Sequence, residues 1–248
     1  MLIFDELKWE PSERWVRATR GGTTVVDSKH PVLVREPGLP YPTYAFREGE
    51  VRTDLLRPAQ SPPADGPHAG STVFYDLHLD GAVVSNAAWR YPAQDLAGYI
   101  AFEWFRHPET VLEHWYEEQE EIFVLPRDPY HRVDALRSSR HVRVEIDGRT
   151  VAESYRPVAV FETGLPVRYY LPPEDVDLLS FEATETRTHC PYKGEASHWS
   201  YRGEDGPARP DVVWSYQDPL PAVPQIEGYL AFYEQYAAVV VDGVKAGG

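Results

Sequence analysis

Apolar and polar residues alternate through much of this chain. In the stretch His141 to Ser154, Val142, Val144 and Ile146 interleave with His141, Arg143 and Glu145, and Asp147-Gly148 falls where a two-residue hairpin turn needs positive φ, so a β-hairpin is expected. Thr72 to Leu79 repeats the pattern with Val73, Tyr75, Leu77 and Leu79 on one face, and Asp80-Gly81 marks the next turn. Pro157 to Phe161 is an unbroken apolar run that suits a strand covered on both faces, closed by the turn Gly164-Leu165-Pro166, and Asp211 to Tyr216 is a further strand candidate. One segment has a different period. Within Glu109 to Phe123, Val111, Leu112, Trp115, Tyr116, Ile122 and Phe123 recur at helical spacing and glutamates fill the remaining positions, which predicts an amphipathic helix. Leu125 to Asp134 holds two prolines and reads as an extended connector. Leu96 to Phe105 and Ile226 to Tyr236 fit a short helix or a strand equally well.

The pattern is doubled. Arg14 to Pro40 aligns without a gap on Arg140 to Pro166, and fourteen of the 27 positions are identical, too many for chance. Further on, Asp54-Leu55-Leu56 matches Asp177-Leu178-Leu179, Trp89 and Tyr91 match Trp214 and Tyr216, and Gly98-Tyr99 with Phe102 matches Gly228-Tyr229 with Phe232. Two copies are too few for a solenoid. The expected architecture is mainly β: a first repeat domain at 1–104, a linker helix and proline-containing connector at 105–138, and a second repeat domain at 139–248, as a monomeric pseudo-dimer or a homodimer.

Charge and cysteine content narrow the function. With 24 Lys and Arg against 39 Asp and Glu, the net charge of −15 has the wrong sign for nucleic acid or an anionic membrane. No apolar run approaches the ~18 residues of a membrane-spanning helix, and the first residues lack a signal-peptide pattern, so a cytoplasmic protein is expected. Cys190 is the only cysteine, which removes intramolecular disulfides and multi-cysteine zinc sites. P-loop, dinucleotide, zincin and α/β-hydrolase motifs are absent.

The densest polar and aromatic stretch, Thr186 to Trp199, has no close counterpart in the first copy beyond His68, so chemistry is expected in the second copy, with the first supplying a wall. Three of its segments, VFETGLPVRYYLPPEDV at 160–176, THCPYKGEASHW at 188–199 and VWSY at 213–216, resemble the domain of unknown function family 427. The likeness covers nearly all of copy two and, less sharply, copy one. It implies a β-tent (Mss4-like) fold whose sheets enclose a pocket, and it brings a nucleotidyltransferase-like label. Some tent-like relatives hold zinc with two C-x-x-C pairs, a pattern this chain lacks.

Within the stretch, Lys193 beside Gly194 is the candidate to meet a carboxylate or phosphate, or to act as a nucleophile; the plainer reading is a lysine in a surface turn. Glu195 is a candidate acid or base, or else an ion-pair partner of Lys193 or Arg187. Glu162, duplicated as Glu36, reads as structural. His189 and Cys190 are neighbours that a strand would point to opposite faces, and His189 with His198 lacks a third metal ligand, so no metal is assigned. Asp175 and Asp177 form a D-x-D pattern too common by chance to carry a cation site. Tyr170, Trp214 and Tyr216 have apparent duplicates in Tyr44, Trp89 and Tyr91 and read as core; Arg168, Tyr169, Tyr192 and Trp199 do not, and with His189 and Cys190 they are the candidates for binding a substrate. The resulting expectation is a small-molecule pocket for a polar or anionic metabolite, with acid-base chemistry. A nucleotidyltransferase-like enzyme, or an interaction module built on the acidic helix, are the alternatives.

Overall fold

The alternating segments are strands. Val142, Val144 and Ile146 are buried while Arg143 and Glu145 are half-buried, and the turn Asp147-Gly148 has φ of 54° and 77°, as a type I′ hairpin turn requires. Asp80-Gly81, at 50° and 78°, and Asp242-Gly243, at 51° and 82°, repeat it. The computed structural model describes residues 5–64, 68, 71, 73–104, 111–203 and 209–246, which fall into two compact units, Leu2–Asp128 and Pro129–Gly248. Helical residues among those described are confined to three-residue 3-10 turns, and no helix is long and apolar enough to cross a membrane.

The first unit contains β1 (Lys8–Pro11), β2 (Val16–Arg20), β3 (Thr23–Ser28), β4 (Val32–Arg35), β5 (Thr43–Arg47), β6 (Leu56–Pro58), β7 (Val73–Leu79), β8 (Ala82–Arg90), β9 (Tyr99–Phe102), β10 (His114–Glu117) and β11 (Glu120–Ile122). They form an antiparallel sheet in the order β1-β4-β5-β9-β8-β7-β6 and a second in the order β11-β10-β2-β3. The second unit contains β12 (Val133–Arg137), β13 (Val142–Ile146), β14 (Arg149–Ser154), β15 (Val158–Glu162), β16 (Arg168–Tyr170), β17 (Phe181–Cys190), β18 (Gly194–Tyr201), β19 (Arg209–Tyr216), β20 (Leu230–Phe232), β21 (Ala238–Val241) and β22 (Val244–Lys245). Its sheets, β12-β15-β16, β17-β18-β19-β20 and β14-β13-β21-β22, repeat the order strand for strand. A single bridge, Leu171 to Leu230, stands where β5 and β9 pair fully in the first unit.

Each large sheet is buried on both faces. Its inner face packs on the smaller sheet, through Val16, Val25, Leu33, Tyr44 and Phe46 in the first unit and Val142, Val151, Phe181, Val213 and Phe232 in the second. The outer face carries Val32, Val34, Phe74, Trp89 and Tyr91 in the first, and Val158, Val160, Tyr170, Trp214 and Tyr216 in the second. Small polar staples recur with the strands. Ser28 Oγ donates to Glu50 at 2.8 Å as Ser154 Oγ does to Asp175 at 2.7 Å. The Trp15 amide donates to Glu118 at 2.9 Å as the His141 amide does to Asp242 at 3.1 Å.

Two expectations are corrected. The segment read as an amphipathic helix is the hairpin β10–β11, paired to β2 with Trp115 opposite Ala18; Glu118, at φ 53°, sits in its turn. Val111, Leu112, Trp115 and Ile122 are buried, Tyr116 is half-buried and Phe123 is exposed, and partners in β2 select the extended form. Four of the acids are engaged within the unit: Glu117 pairs with Arg14 at 2.9 Å and accepts from the Tyr44 hydroxyl at 2.8 Å, Glu113 accepts from the Gly21 amide at 2.8 Å, Glu118 accepts from the Trp15 amide and Glu121 meets His114 at 2.6 Å. Glu109 lies outside the described residues. The end of the expected connector is likewise strand β12, paired along β15.

The second correction concerns alignment. Val32 pairs with Ala45, and its counterpart Val158 pairs with Tyr170, so Tyr170 corresponds to Ala45 and Tyr169 to Tyr44. One residue is missing from the second copy's loop after Gly-Leu-Pro. The Asp-Leu-Leu match is also out of register: Arg52 and Asp177 are the equivalent residues, donating to the carbonyls of Val25 and Val151 at 2.9 and 2.8 Å.

Candidate functional site

The outer face of the second unit gathers most of the polar side chains that have no place in a plain core. Along β15, Val158, Val160 and Glu162 follow each other on one face, and β16 sets Tyr170 and Arg168 opposite the two valines. On β18 and β19, Ala196 faces Tyr216 and His198 faces Trp214. Cys190, opposite Gly194 at the end of the β17–β18 hairpin, is partly buried against the same cluster.

Glu162 is the hub. Its carboxylate forms an ion pair with Lys193, both side chains about one-tenth exposed, and lies 3.0 Å from His131 Nε2. The His131 ring stacks on Tyr192 with centroids 4.1 Å apart. The Lys193 turn is pinned, because its carbonyl accepts from the Leu220 amide at 3.0 Å and Gly194 adopts φ 104°. A Cβ at Gly194 would lie 3.3 Å from the Asp218 carbonyl oxygen, so both space and backbone angle require glycine there.

Next to this pair lie two buried hydroxyls. Trp214 Nε1 donates to Tyr170 Oη at 3.0 Å. Burial pushes the Tyr170 hydroxyl well above the usual tyrosine range, with Cys190 and the Glu162 charge adding and Arg168 opposing. Burial does the same at Tyr216, reinforced by Tyr170, Cys190, Glu162 and Tyr233. Both phenols therefore stay protonated, and their surroundings show which groups converge. Arg168 pairs with Glu234.

His198 is 2% exposed. Its Nε2 lies 2.9 Å from Thr188 Oγ1, while Nδ1 has no hydrogen-bond partner among the described residues. Burial, the largest cause, lowers its affinity for a proton; Asp211 opposes this and Arg187 adds to it, so the ring is a neutral donor-acceptor.

Of the residues singled out in the sequence, Lys193, Arg168 and Cys190 lie on this face, with Tyr192 at its margin over His131. Glu195 instead pairs with His189 at 3.2 Å, both partly exposed, because the two are opposite each other in the hairpin ladder. Tyr169 and Trp199 pack against the inner core. Trp199 does have a counterpart, Tyr75, since Trp199 pairs with Val213 as Tyr75 does with Ala88. Tyr170 is the tyrosine the first copy lacks, hidden in the sequence by the one-residue shift. His131 was missed because it lay in the supposed connector, and Tyr233 and Glu234 because their segment had no decisive period. Asp175 is held by Ser154 and Arg156, and Asp177 by Arg149 and Ser180. Among the described residues no group of three or more His, Cys, Asp or Glu side chains is placed to hold a metal ion.

The first unit is not bare, as the sequence had suggested. Glu36, His68 and Tyr91 form a buried polar group on its outer face, with His68 stacked on Trp89. The other polar positions differ: Phe74 stands where the second unit has His198, and Thr43 where it has Arg168.

Matching strand order, shared staples and a doubled buried glutamate define a tandem pair of one β-rich domain. The model of the family described as Domain of unknown function (DUF427) matches residues 8–116 and again 134–243, and the chain belongs to that family in a two-copy form. No curated protein matches the chain.

Proposed function

We propose that the outer face of the second repeat binds a small polar or anionic metabolite. In this reading Arg168 exchanges Glu234 for an anionic group of the ligand, Lys193 and Glu162 form a proton-exchanging floor, and Tyr170, Trp214 and Tyr216 supply the walls. The observation that carries it is His198: a fully buried imidazole with one nitrogen left without a partner is costly unless something completes it, and it sits beside Trp214 on the same face as Arg168. Glu195, His189, Tyr169 and Trp199 are not part of the proposed site.

The nucleotidyltransferase-like reading has less support, because the only D-x-D pair is occupied by arginines and serines. The interaction-module reading loses its acidic helix to a hairpin whose glutamates bind within their own unit. The test is to purify the full chain, denature it and identify released small molecules by mass spectrometry, beside Arg168→Ala and His198→Phe. A compound held by the parent chain and lost from both variants supports the site. A compound kept equally by all three, or no compound together with no thermal stabilisation by a panel of carboxylates and phosphates, overturns it.

A further inference from the structure

The Glu36 group of the first unit has the geometry of a working acid-base pair. Glu36 is 8% exposed and continues the row of Val32 and Val34 on the outer face. Two donors converge on one of its oxygens: the Tyr91 hydroxyl at 2.9 Å and His68 Nδ1 at 2.6 Å. Burial, then the Glu36 charge, pushes the Tyr91 hydroxyl well above its usual range, so Tyr91 can only donate. A carboxylate oxygen only accepts, which places the imidazole hydrogen on Nδ1 and leaves the Nε2 lone pair open in the neutral ring. The ring cannot swing away, because it lies flat on Trp89 with centroids 3.6 Å apart and planes 17° from parallel. Nε2 is 3.9 Å from Glu103 Oε2, beyond hydrogen-bond reach.

We propose that Glu36 and His68 form an acid-base dyad in the first repeat, with His68 Nε2 as proton acceptor for a hydroxyl or amine of a small polar molecule. Carboxylate to Nδ1–H, with Nε2 left to take a proton, is how a general base is oriented; the His68 side chain is 4% exposed and its Nε2 is turned toward Glu103, so the ligand's donor would enter between the two. In the proton step the ligand's O–H or N–H bond breaks, its electron pair stays on the ligand atom, and the proton joins Nε2. The imidazolium so formed lies between Glu36, 2.6 Å from Nδ1, and Glu103, 3.9 Å from Nε2. Tyr41, whose hydroxyl is raised by burial and then by the charges of Glu103 and Glu36, lines the same region. In the second unit Trp214 meets Tyr170 and Tyr233, and among the described residues no histidine stacks on it in this way.

Carbethoxylation by diethyl pyrocarbonate tests it, since the reagent attacks an unprotonated, reachable imidazole nitrogen. The full chain is treated at neutral pH and each histidine is followed by peptide mass spectrometry. His68 is expected to react at least as fast as the exposed His114, and Glu36→Gln, checked for native circular dichroism, to slow it about tenfold while leaving His114 unchanged. A His68 that stays unmodified while His114 reacts to completion means a sealed structural pair and overturns the proposal. So does equal reactivity in parent and Glu36→Gln. Should Glu36→Gln not fold, Tyr91→Phe, which removes only the second donor, must still alter the His68 rate.

Discussion

The two repeats place a glutamate at the same buried position, Glu36 and Glu162, and complete it with different chemistry. In the first, the partners are an imidazole and a phenol, both able to exist without charge. In the second, the partner is an ammonium that has given up most of its water, with His131 on the other carboxylate oxygen. The duplicated scaffold therefore keeps a carboxylate under its outer face and lets each copy choose what faces it. The largest expected effect follows from that difference. Glu162→Ala strands a buried lysine and should cost about 3–5 kcal/mol in urea unfolding of the second unit, with Glu162→Leu/Lys193→Met recovering most of it. Glu36→Gln, which strands no ammonium, should cost about 1–3 kcal/mol. Equal losses at the two positions would erase the distinction.

A second contrast lies at the hairpin that closes each unit. Arg14 reaches a buried Glu117 that also takes the Tyr44 hydroxyl, whereas its counterpart Arg140 meets Asp242 in the open, at 59% and 48% side-chain exposure. Because Arg14 is itself 39% exposed, solvent screening weakens its pair, and Arg14→Ala is expected to cost about 1–2 kcal/mol against less than about 1 for Arg140→Ala. Paired denaturant titrations of the two variants decide this.

The pH response should also differ. His198 holds its proton less tightly in the fold than its ordinary value of 6.5, so the unfolded chain gains a proton first as pH falls. Its contribution to stability is present above that value and is lost as pH falls through it toward the lower folded value. His198→Phe, which copies Phe74 of the first unit, should flatten the pH dependence of unfolding between pH 7 and the folded value by at most one proton's worth, about 1.4 kcal/mol per pH unit. An unchanged slope would mean that the ring binds its proton equally well in the folded and unfolded chain. The smallest effect is reserved for Glu195→Gln: its pair with His189 is half in solvent, and a change beyond about 0.5 kcal/mol in the same assay would return Glu195 to the site.

What could be read from the sequence was local or repeated. The Asp-Gly turns and alternating valines needed no partner to be interpreted, and the ungapped match from Arg14 to Pro40 announced the duplication. Where partners lie far along the chain, the reading failed. His114 to Ile122 has an apolar spacing that fits a helix or a hairpin, and only pairing with Val16 to Thr19 decides. The site suffered from the same cause. A single missing residue between Pro166 and Arg168 exchanged the roles of Tyr169 and Tyr170, and His131 meets Glu162 only because β12 joins the sheet.

That pairing of early and late strands governs how each repeat is born. Val16 waits for Glu117 and Val142 for Val241, so the smaller sheet of either copy cannot close until nearly all of that copy has left the ribosome. The leading repeat, complete by Ile122, is then free to finish before its twin has been synthesised, which keeps the two related sequences from exchanging strands by time as well as by register.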